Sequence, residues 1–386
     1  MPTLRHRIGF VAVLLTLFAA SGVAQTKPRA RDLGVPFDGP TGPWNAITDV
    51  KGVEVGHTTL ISGEGALKVG VGPVRTGVTA ILPRGKDSND AVFGGWFTEN
   101  GAGEMTGTTW LEDSGFLDGP VMLTSTHSVG VVHDAVIAWK VKSGVRDQEG
   151  YWWSAPVVAE TWDGDLNDVN GFHVKPQDAF QALDTAHSGA VEEGNVGGGT
   201  GMICHEFKGG IGTASRVLSA ANGGYTVGVL VQCNYGDRDQ LRVAGVPLGR
   251  EIQENKVRNK DVGSIIVVVA TDAPLIPTQL KRVARHVAMG LARDGSYAAN
   301  GSGDIFVAFS TANPGAISPV GLRQITMLPN DALDSIFLAT VQATEEAVVN
   351  ALVAAETMTG INNRTVIALP HDRLREVLKK YNRLAK

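Results

Sequence analysis

Short apolar runs separated by glycine-rich turns fill the chain from Trp44 onward. Several of these runs are continuously apolar and do not alternate with polar residues, a pattern typical of strands buried on both faces. The sequence predicts strands over residues 50–57, 77–82, 121–126, 226–232, 264–270, 305–310 and 365–369.

Helical patterns lie between the later strands. After Pro277, apolar residues recur at positions 280, 283, 284, 287 and 291, on one face of an amphipathic helix over 278–293. An alanine-rich stretch over 331–357, followed by Gly360, predicts a second helix or helix pair, and Pro370 opens a third that runs to about residue 381. Strands that alternate with helices predict an α/β protein whose sheets are covered by helices in layers.

The N-terminus has the pattern of a secretory signal peptide. Arg5 and Arg7 precede an apolar run over 8–20, and small residues follow, so we expect residues 1–24 to be removed by cleavage after Ala24. The run is too short to anchor the chain across a bilayer core of about 30 Å, and we expect no later segment to be long and apolar enough for a transmembrane helix. The mature protein is therefore expected in the periplasm or outside the cell, with no membrane partner. Residues 25–43 have little apolar content and predict a loosely held arm.

Composition narrows the choice of partners and cofactors. Lys and Arg number 34 against 39 Asp and Glu, a net charge of −5 without a basic block, which argues against a nucleic-acid partner. The nine histidines lack metal-ligand spacing, so no metal site is expected. The glycine run 194–201 lacks the Lys-Ser/Thr of a phosphate loop, so it predicts a tight turn or a platform of backbone amides and no nucleotide cofactor. Cys204 and Cys233 can form at most one disulfide; we expect two small buried side chains instead.

One junction carries candidate chemistry. A polar stretch over 250–261, expected to be an exposed loop, leads into Gly263 and Ser264, and a wholly apolar, β-branched run starts at the serine. Cleavage between these two residues would give Ser264 both a hydroxyl and an α-amine. An α-amine with a pKa of about 7.7–8.0 can take the hydroxyl proton near neutrality. Gly263 would tolerate the backbone distortion that attack on its carbonyl requires. An ordinary turn from loop to strand is the alternative.

Six stretches along the chain resemble a known family. They are NAITDV with GVEVGH at 45–57, NGAGEMTG at 100–107, THSVGVV at 126–132, AETWDG at 159–164, GSII through TDAP at 263–274, and NGSGD at 300–304. Their order and content resemble the self-cleaving N-terminal-serine aminopeptidases, which include the L-aminopeptidase/D-esterase and the bacterial β-peptidyl aminopeptidases. The resemblance covers effectively the whole mature chain.

The resemblance implies a precursor that cuts itself between Gly263 and Ser264. The products would be an α chain of residues 25–263 and a β chain of residues 264–386, which together form one catalytic domain. It also implies a four-layer α/β/β/α sandwich, similar to N-terminal-nucleophile hydrolases in layering but different in strand connectivity. Members of the family assemble as several αβ units, commonly four, so a homo-oligomer is expected.

Roles for individual residues also follow from the resemblance. Ser264 would be the nucleophile of self-cleavage and of the later acyl-enzyme. Asn234 would donate a hydrogen bond to the oxyanion, or else would only bond its own turn. Ser302 would orient or relay the proton of the α-amine, and Asp304 would hold that network or contact the substrate amine. The resemblance implies Glu at this last position, so the shorter Asp304 puts its contact with Ser302 in doubt; a plain turn aspartate is the alternative.

Two further residues would bind substrate. Glu160 matches the family's anchor for the free ammonium of the substrate, with a structural carboxylate as the alternative. Trp162 stands where family members often carry Tyr; its ring would narrow the pocket and offer a cation–π face. His127 and His133 are expected to be packing or hydrogen-bonded loop residues.

The function expected from the chain is that of an exported serine aminopeptidase. It would remove unblocked N-terminal residues from amides, short peptides or esters, with L-α, D or β-amino acids as substrates, and would need no metal or cofactor. A non-catalytic periplasmic binding or structural protein on the same scaffold is one alternative. An acyltransferase of the ornithine acetyltransferase type is another; such enzymes resemble this chain in self-cleavage, but they use Thr as the new terminus and are not exported.

Overall fold

Two β-sheets lie at the centre of the computed structural model, which describes residues 27–144, 149–150, 153–257, 263–318 and 320–385. The strands, in chain order, are β1 (Glu54–Ser62), β2 (Val74–Leu82), β3 (Val92–Gly101), β4 (Phe116–Leu117), β5 (Val121–Ser125), β6 (Val157–Thr161), β7 (Ile203–Cys204), β8 (Phe207–Lys208), β9 (Gly210–Val217), β10 (Thr226–Asn234), β11 (Ser264–Thr271), β12 (Gly303–Ser310), β13 (Met358–Thr359) and β14 (Thr365–Val366). The predicted signal peptide, residues 1–24, lies outside the described residues.

Helices flank these strands along the chain. The α-helices are α1 (Thr108–Ser114), α2 (Val129–Lys142), α3 (Pro176–Asp184), α4 (Leu248–Glu251), α5 (Pro277–Arg293), α6 (Asp334–Ala354) and α7 (His371–Lys380). Short 3-10 turns lie at Arg31–Leu33, Ile47–Asp49, Thr126–Ser128, Val169–Gly171, Gly197–Gly199, Ala220–Asn222, Arg238–Gln240, Asn330–Ala332 and Ile361–Asn363.

The two main sheets are both mixed. One has four strands in the order β1-β2-β5-β6, and the other has six in the order β4-β3-β12-β11-β10-β9. The parallel pairs are β5 with β6 and β11 with β12, and the remaining pairs in these sheets are antiparallel.

Three apolar clusters hold four layers together. Along β11, Ile266 and Val268 pack between the two sheets, whereas Ile265 and Val267 pack against the layer of α5 and α6. On the far side, α2 and α3 pack on the four-stranded sheet. The continuously apolar pattern of β11 thus reflects burial on both faces. The α/β/β/α sandwich expected from the resemblance is confirmed.

The helix α6 qualifies as a membrane span by length and composition, together with the turn before it. Of its most apolar window, however, 83% is buried inside the protein, so it is a core helix of the layer that covers the six-stranded sheet. The expectation that no later segment has the length and hydropathy of a span was therefore wrong for this stretch.

Other predicted elements differ at their ends or were missed. The first strand starts at Glu54, not at residue 50, and the last keeps only Thr365–Val366 of 365–369. The helix predicted over 331–357 ends at Ala354, and α2 and α3 were not predicted. Helix α2 has apolar residues on all sides, so its sequence does not show the helical repeat of apolar positions. That repeat is visible only in a helix with one polar face.

The described part of the N-terminal arm, residues 27–43, is firmly held, contrary to the expectation of a loosely held segment. Arg29 donates to Glu193 at 2.7 Å, and Arg31 donates to the buried Glu346 of α6 at 2.7 Å. Ala30 is fully buried, and its N–H donates to Asn350 Oδ1 at 3.0 Å. Low apolar content misled the prediction because charged side chains, paired with buried carboxylates, fasten this segment.

The two cysteines form a disulfide. Cys204 and Cys233 are joined across the end of β10, with their Cα atoms 5.5 Å apart. The expectation of two unpaired side chains was wrong, because β7 brings Cys204 beside β10, a proximity that a separation of 29 residues does not reveal.

Candidate active site

Ser264 begins β11 and has a neighbour on each side in the sheet. It pairs with Asn234 at the end of β10 and with Gly303 at the start of β12. Its side chain is 5% exposed. Residues paired across neighbouring strands point to the same face, so the side chains of Ser264 and Asn234 share the face between the two sheets.

Asn234 is buried, and its amide is held by two other segments. Its Oδ1 accepts the N–H of Ile203 at 2.7 Å, and its Nδ2 donates to the carbonyl oxygen of Trp162 at 2.9 Å. These bonds reach outside its own turn, so Asn234 is not merely a strand-end turn residue. The second hydrogen on Nδ2 is the one that could meet an oxyanion on the side of Ser264.

Gly263 presents its carbonyl oxygen to the neighbouring strand. That oxygen accepts the N–H of Gly303 at 3.2 Å, and a Cβ at Gly263 would lie 1.7 Å from the carbonyl oxygen of Asn234. The φ angle of Gly263 does not lie in the left-handed region. Position 263 therefore requires glycine because β10 approaches it closely. Gly263 was singled out from the sequence for its tolerance of backbone distortion, and not for this close approach.

Ser302 and Asp304 form a buried pair beside the predicted terminus. The Ser302 hydroxyl donates to Asp304 Oδ1 at 2.7 Å, so the shorter aspartate does reach its partner. Gly303, which separates the two, is the residue that pairs with Ser264. Asp304 and Phe306 point toward α5, the face opposite the Ser264 hydroxyl. The pair therefore lies one residue to either side of the sheet partner of Ser264, the residue that would carry the new α-amine.

Glu160 lies on the edge strand β6 with both carboxylate oxygens bonded. Its Oε1 accepts the N–H of Glu104 at 3.0 Å, and its Oε2 accepts the hydroxyl of Thr126. Burial raises the pKa of Glu160, and these two hydrogen bonds oppose the rise. A Cβ at Gly103 would lie 3.2 Å from Oε1 and 3.4 Å from Gly303 Cα, so the carboxylate faces the start of β12 across this glycine.

Trp162 follows Glu160 by two residues and belongs to an aromatic group. Its half-buried ring meets the His127 ring edge-on, with centroids 5.9 Å apart. The other side of His127 stacks on Phe172, with centroids 6.2 Å apart and planes 22° from parallel. The expectation that His127 packs against neighbours agrees with these contacts, but Phe172 was missed, because it lies in a loop with no motif around it.

Asp163 is a second buried acid that sequence reasoning did not single out. Burial raises its pKa to about 6, although Ser125 donates to Oδ1 at 2.9 Å and Asn167 donates at 3.1 Å. The signal available in the sequence was its place directly after a buried strand, within the AETWDG stretch.

The glycine run 194–201 forms a tight turn between the sheets. Gly197 and Gly198 donate their N–H groups to the hydroxyls of Thr59 and Thr79, at 2.9 and 3.1 Å. A Cβ at Gly198 would lie 2.1 Å from Gln232 Oε1. The run is therefore a tight turn and not a platform of free backbone amides, because the amides at its centre already donate hydrogen bonds. Within the described ranges, no group of three His, Cys, Asp or Glu side chains is arranged to hold a metal ion.

Two stacked sheets are covered by helices, and a serine begins an inner strand beside a fixed side-chain amide. This arrangement is typical of N-terminal-nucleophile-like hydrolases. The model of peptidase family S58 matches residues 45–366. The chain belongs to this family, and it is a serine-type aminopeptidase.

Relatives of high identity support this assignment. The chain is 56% identical to the β-peptidyl aminopeptidase BapA of Sphingosinicella microcystinivorans, over 98% of this chain and 99% of that protein. The structure of the L-aminopeptidase D-Ala-esterase/amidase from Ochrobactrum anthropi, described as a variant of the Ntn hydrolase fold, is 50% identical. It superposes with a TM-score of 0.87 and covers 93% of this chain and 100% of its own. A Burkholderia sp. β-aminopeptidase is 45% identical with a TM-score of 0.84, over 92% and 99%.

Proposed function

We propose that this aminopeptidase cuts itself between Gly263 and Ser264 and then uses Ser264 to release N-terminal residues, including β-amino acids, from short peptides and amides. The observation that carries the proposal is the position of Ser264. It starts a buried strand between the Asn234 amide and the Gly303 N–H, so both donors can serve a carbonyl attacked by its hydroxyl.

Self-cleavage would begin within the continuous chain. The Ser264 Oγ attacks the carbonyl carbon of Gly263, while the Gly303 N–H, 3.2 Å from that carbonyl oxygen, stabilises the negative charge. The C–N bond then breaks, the hydroxyl proton goes to the nitrogen, and an ester links Gly263 to Ser264 Oγ. Water hydrolyses the ester, which leaves a carboxylate on Gly263 and an amine on Ser264.

Turnover would reuse the same hydroxyl. The α-amine of Ser264 takes the hydroxyl proton as Oγ attacks the substrate carbonyl, and Asn234 Nδ2 donates to the oxyanion. The resulting α-ammonium passes its proton to the leaving amine, and water hydrolyses the acyl-enzyme. Ser302, fixed by Asp304 at 2.7 Å, would hold the α-amine in position from the α5 side of the sheet.

Glu160 would select substrates with a free amine. Glu160 is 3% exposed and its carboxylate is held by two hydrogen bonds, so an ammonium can pair with it without reordering the side chain. Two relatives are named β-peptidyl aminopeptidases and one structure an L-aminopeptidase, which supports both β- and α-amino acids as substrates. Export after removal of residues 1–24, hydrolysis of esters, and assembly of several αβ units are further parts of the proposal.

Anilide substrates with free and acetylated amines test the role of Glu160. Glu160→Gln should lower kcat/KM for the free-amine anilide by about 100-fold, because it removes a desolvated charge from the pair. Self-cleavage of the same variant should keep its rate within about 3-fold, because the scissile Gly263 carries no ammonium. Glu112→Gln, an exposed carboxylate on α1, is the matched control. An equal loss in both reactions would make Glu160 structural.

Ser264→Ala tests the cleavage itself. The variant should remain one chain on a denaturing gel and show no turnover, whereas the wild type gives two chains. A wild type that stays uncut and inactive would instead favour the non-catalytic scaffold.

A further inference from the structure

Phe172 presents an aromatic ring to solvent from an unfavourable backbone conformation. The side chain is 60% exposed, and its φ of 51° lies in the left-handed region that bulky residues avoid. Among the described residues, its aromatic contact is the stack on His127. Strained backbone that holds a ring outward is characteristic of ligand-binding positions.

The loop around Phe172 is built to keep this position. The buried Asp168 accepts hydrogen bonds at Oδ2 from His173 Nε2 at 2.9 Å and from the N–H of Gly70 at 2.8 Å. A Cβ at Gly171 would lie 2.2 Å from His173 Nε2 and 2.3 Å from Asp168 Oδ2. The residues on both sides of Phe172 are therefore held by these contacts, and a side chain in place of Gly171 would have to displace the Asp168–His173 pair.

The stack connects directly to both ends of the candidate site. His127 follows Thr126, whose hydroxyl bonds Glu160, the proposed amine anchor. The His127 ring also meets the ring of Trp162, whose carbonyl oxygen accepts the Asn234 amide. A substrate held with its amine on Glu160 and its carbonyl near Asn234 would thus have its N-terminal residue between these points, beside the aromatic rings.

We propose that His127, Trp162 and Phe172 form an aromatic wall that binds the side chain of the substrate's N-terminal residue and favours large apolar or aromatic side chains. The inference rests on the proposed function, because it uses the amine position at Glu160. Aromatic faces in edge-to-face and offset-stacked arrangements bind a further ring or a branched aliphatic group favourably. His127 and Phe172 would be specificity residues that take no part in proton transfer.

The test compares two anilides with the same leaving group and a free amine, one with a methyl side chain and one with a benzyl side chain. Phe172→Ala should lower kcat/KM for the benzyl substrate by about 10- to 30-fold, mainly through KM, and change the methyl substrate less than about 2-fold. Gly171→Ala, which displaces the loop, should reproduce this selective loss. Phe172→Tyr keeps the ring and should retain the preference.

Controls separate the possible failures. Met289→Ala removes an equally exposed apolar side chain from α5 and should alter neither substrate. An equal loss of kcat/KM on both substrates in the Phe172→Ala protein would contradict the proposed aromatic wall. A change in the oligomeric state of this variant, measured by light scattering, would also contradict it. A wild type that hydrolyses neither anilide would instead contradict the proposed function, which keeps the two failures distinguishable.

Discussion

Asp163 makes the folding stability depend on pH in a way that can be worked out from its position. Burial raises its pKa from 3.8 to about 6 in the folded protein. At 1.36 kcal/mol per pKa unit, this rise corresponds to about 3 kcal/mol. Because the folded state holds the proton more tightly, the contribution is complete below pH 3.8 and is lost as the pH rises through about 6.

Asp163→Asn replaces the acid by a neutral group of the same shape and removes this dependence. The free energy of unfolding of the variant minus that of the parent should therefore rise by about 2.5 kcal/mol between pH 4 and pH 7.5, because part of the contribution is already lost at pH 4. Urea denaturation followed by tryptophan fluorescence measures both, in a Ser264→Ala background that is expected to keep the chain in one piece.

The difference between the two proteins isolates Asp163 from buried acids that do not interact with it, such as Asp294, which titrate in both. Asp113→Asn, which replaces an exposed carboxylate on α1, is the control. If Asp163→Asn behaves like this control across the whole range, the burial argument for Asp163 is refuted.

Three further substitutions test the packing around the site. Gly263→Ala should leave the precursor mainly uncut on a gel time course, because its Cβ would lie 1.7 Å from a β10 carbonyl oxygen; Gly130→Ala on α2, whose Cβ meets nothing within 4 Å, should cut normally. Replacing Cys204 and Cys233 by Ala should lower the urea unfolding free energy by about 3–4 kcal/mol through lost loop closure; no change on reduction of the wild type would argue against the bridge. Glu346→Gln should cost about 3–5 kcal/mol in the same assay, because it leaves the buried Arg216 and the partly exposed Arg31, each 2.7 Å from Glu346, without their carboxylate; a loss under 1 kcal/mol would make these ion pairs marginal.

Local pattern predicted β10 and β11, which are buried along their whole length, but it missed β6 and β9, which are buried to nearly the same extent. The run after Ser264 is apolar at every position because one side packs on the facing sheet and the other on α5 and α6. Helix α5 was predicted to within one residue, since it has one polar face. Helix α2 has none and was missed.

The site could be predicted only as a set of residues, because its geometry depends on register between distant strands. Asn234 meets Ser264 across an antiparallel pair, and Gly303 meets it across a parallel one. No local pattern specifies either register. Neither the contact of Phe172 with His127 nor the disulfide could be predicted, because the two residues in each contact lie far apart in the sequence.

Self-cleavage and turnover, as proposed, both use the hydroxyl of Ser264 as the nucleophile. Denaturing mass spectrometry of protein quenched during turnover of a slow ester substrate tests it most directly. Two chains should be seen, with the substrate's acyl group covalently bound to the chain that begins at Ser264 and located on its first residue. A single uncut chain that still turns over the ester, or an acyl group on any other residue, would contradict it.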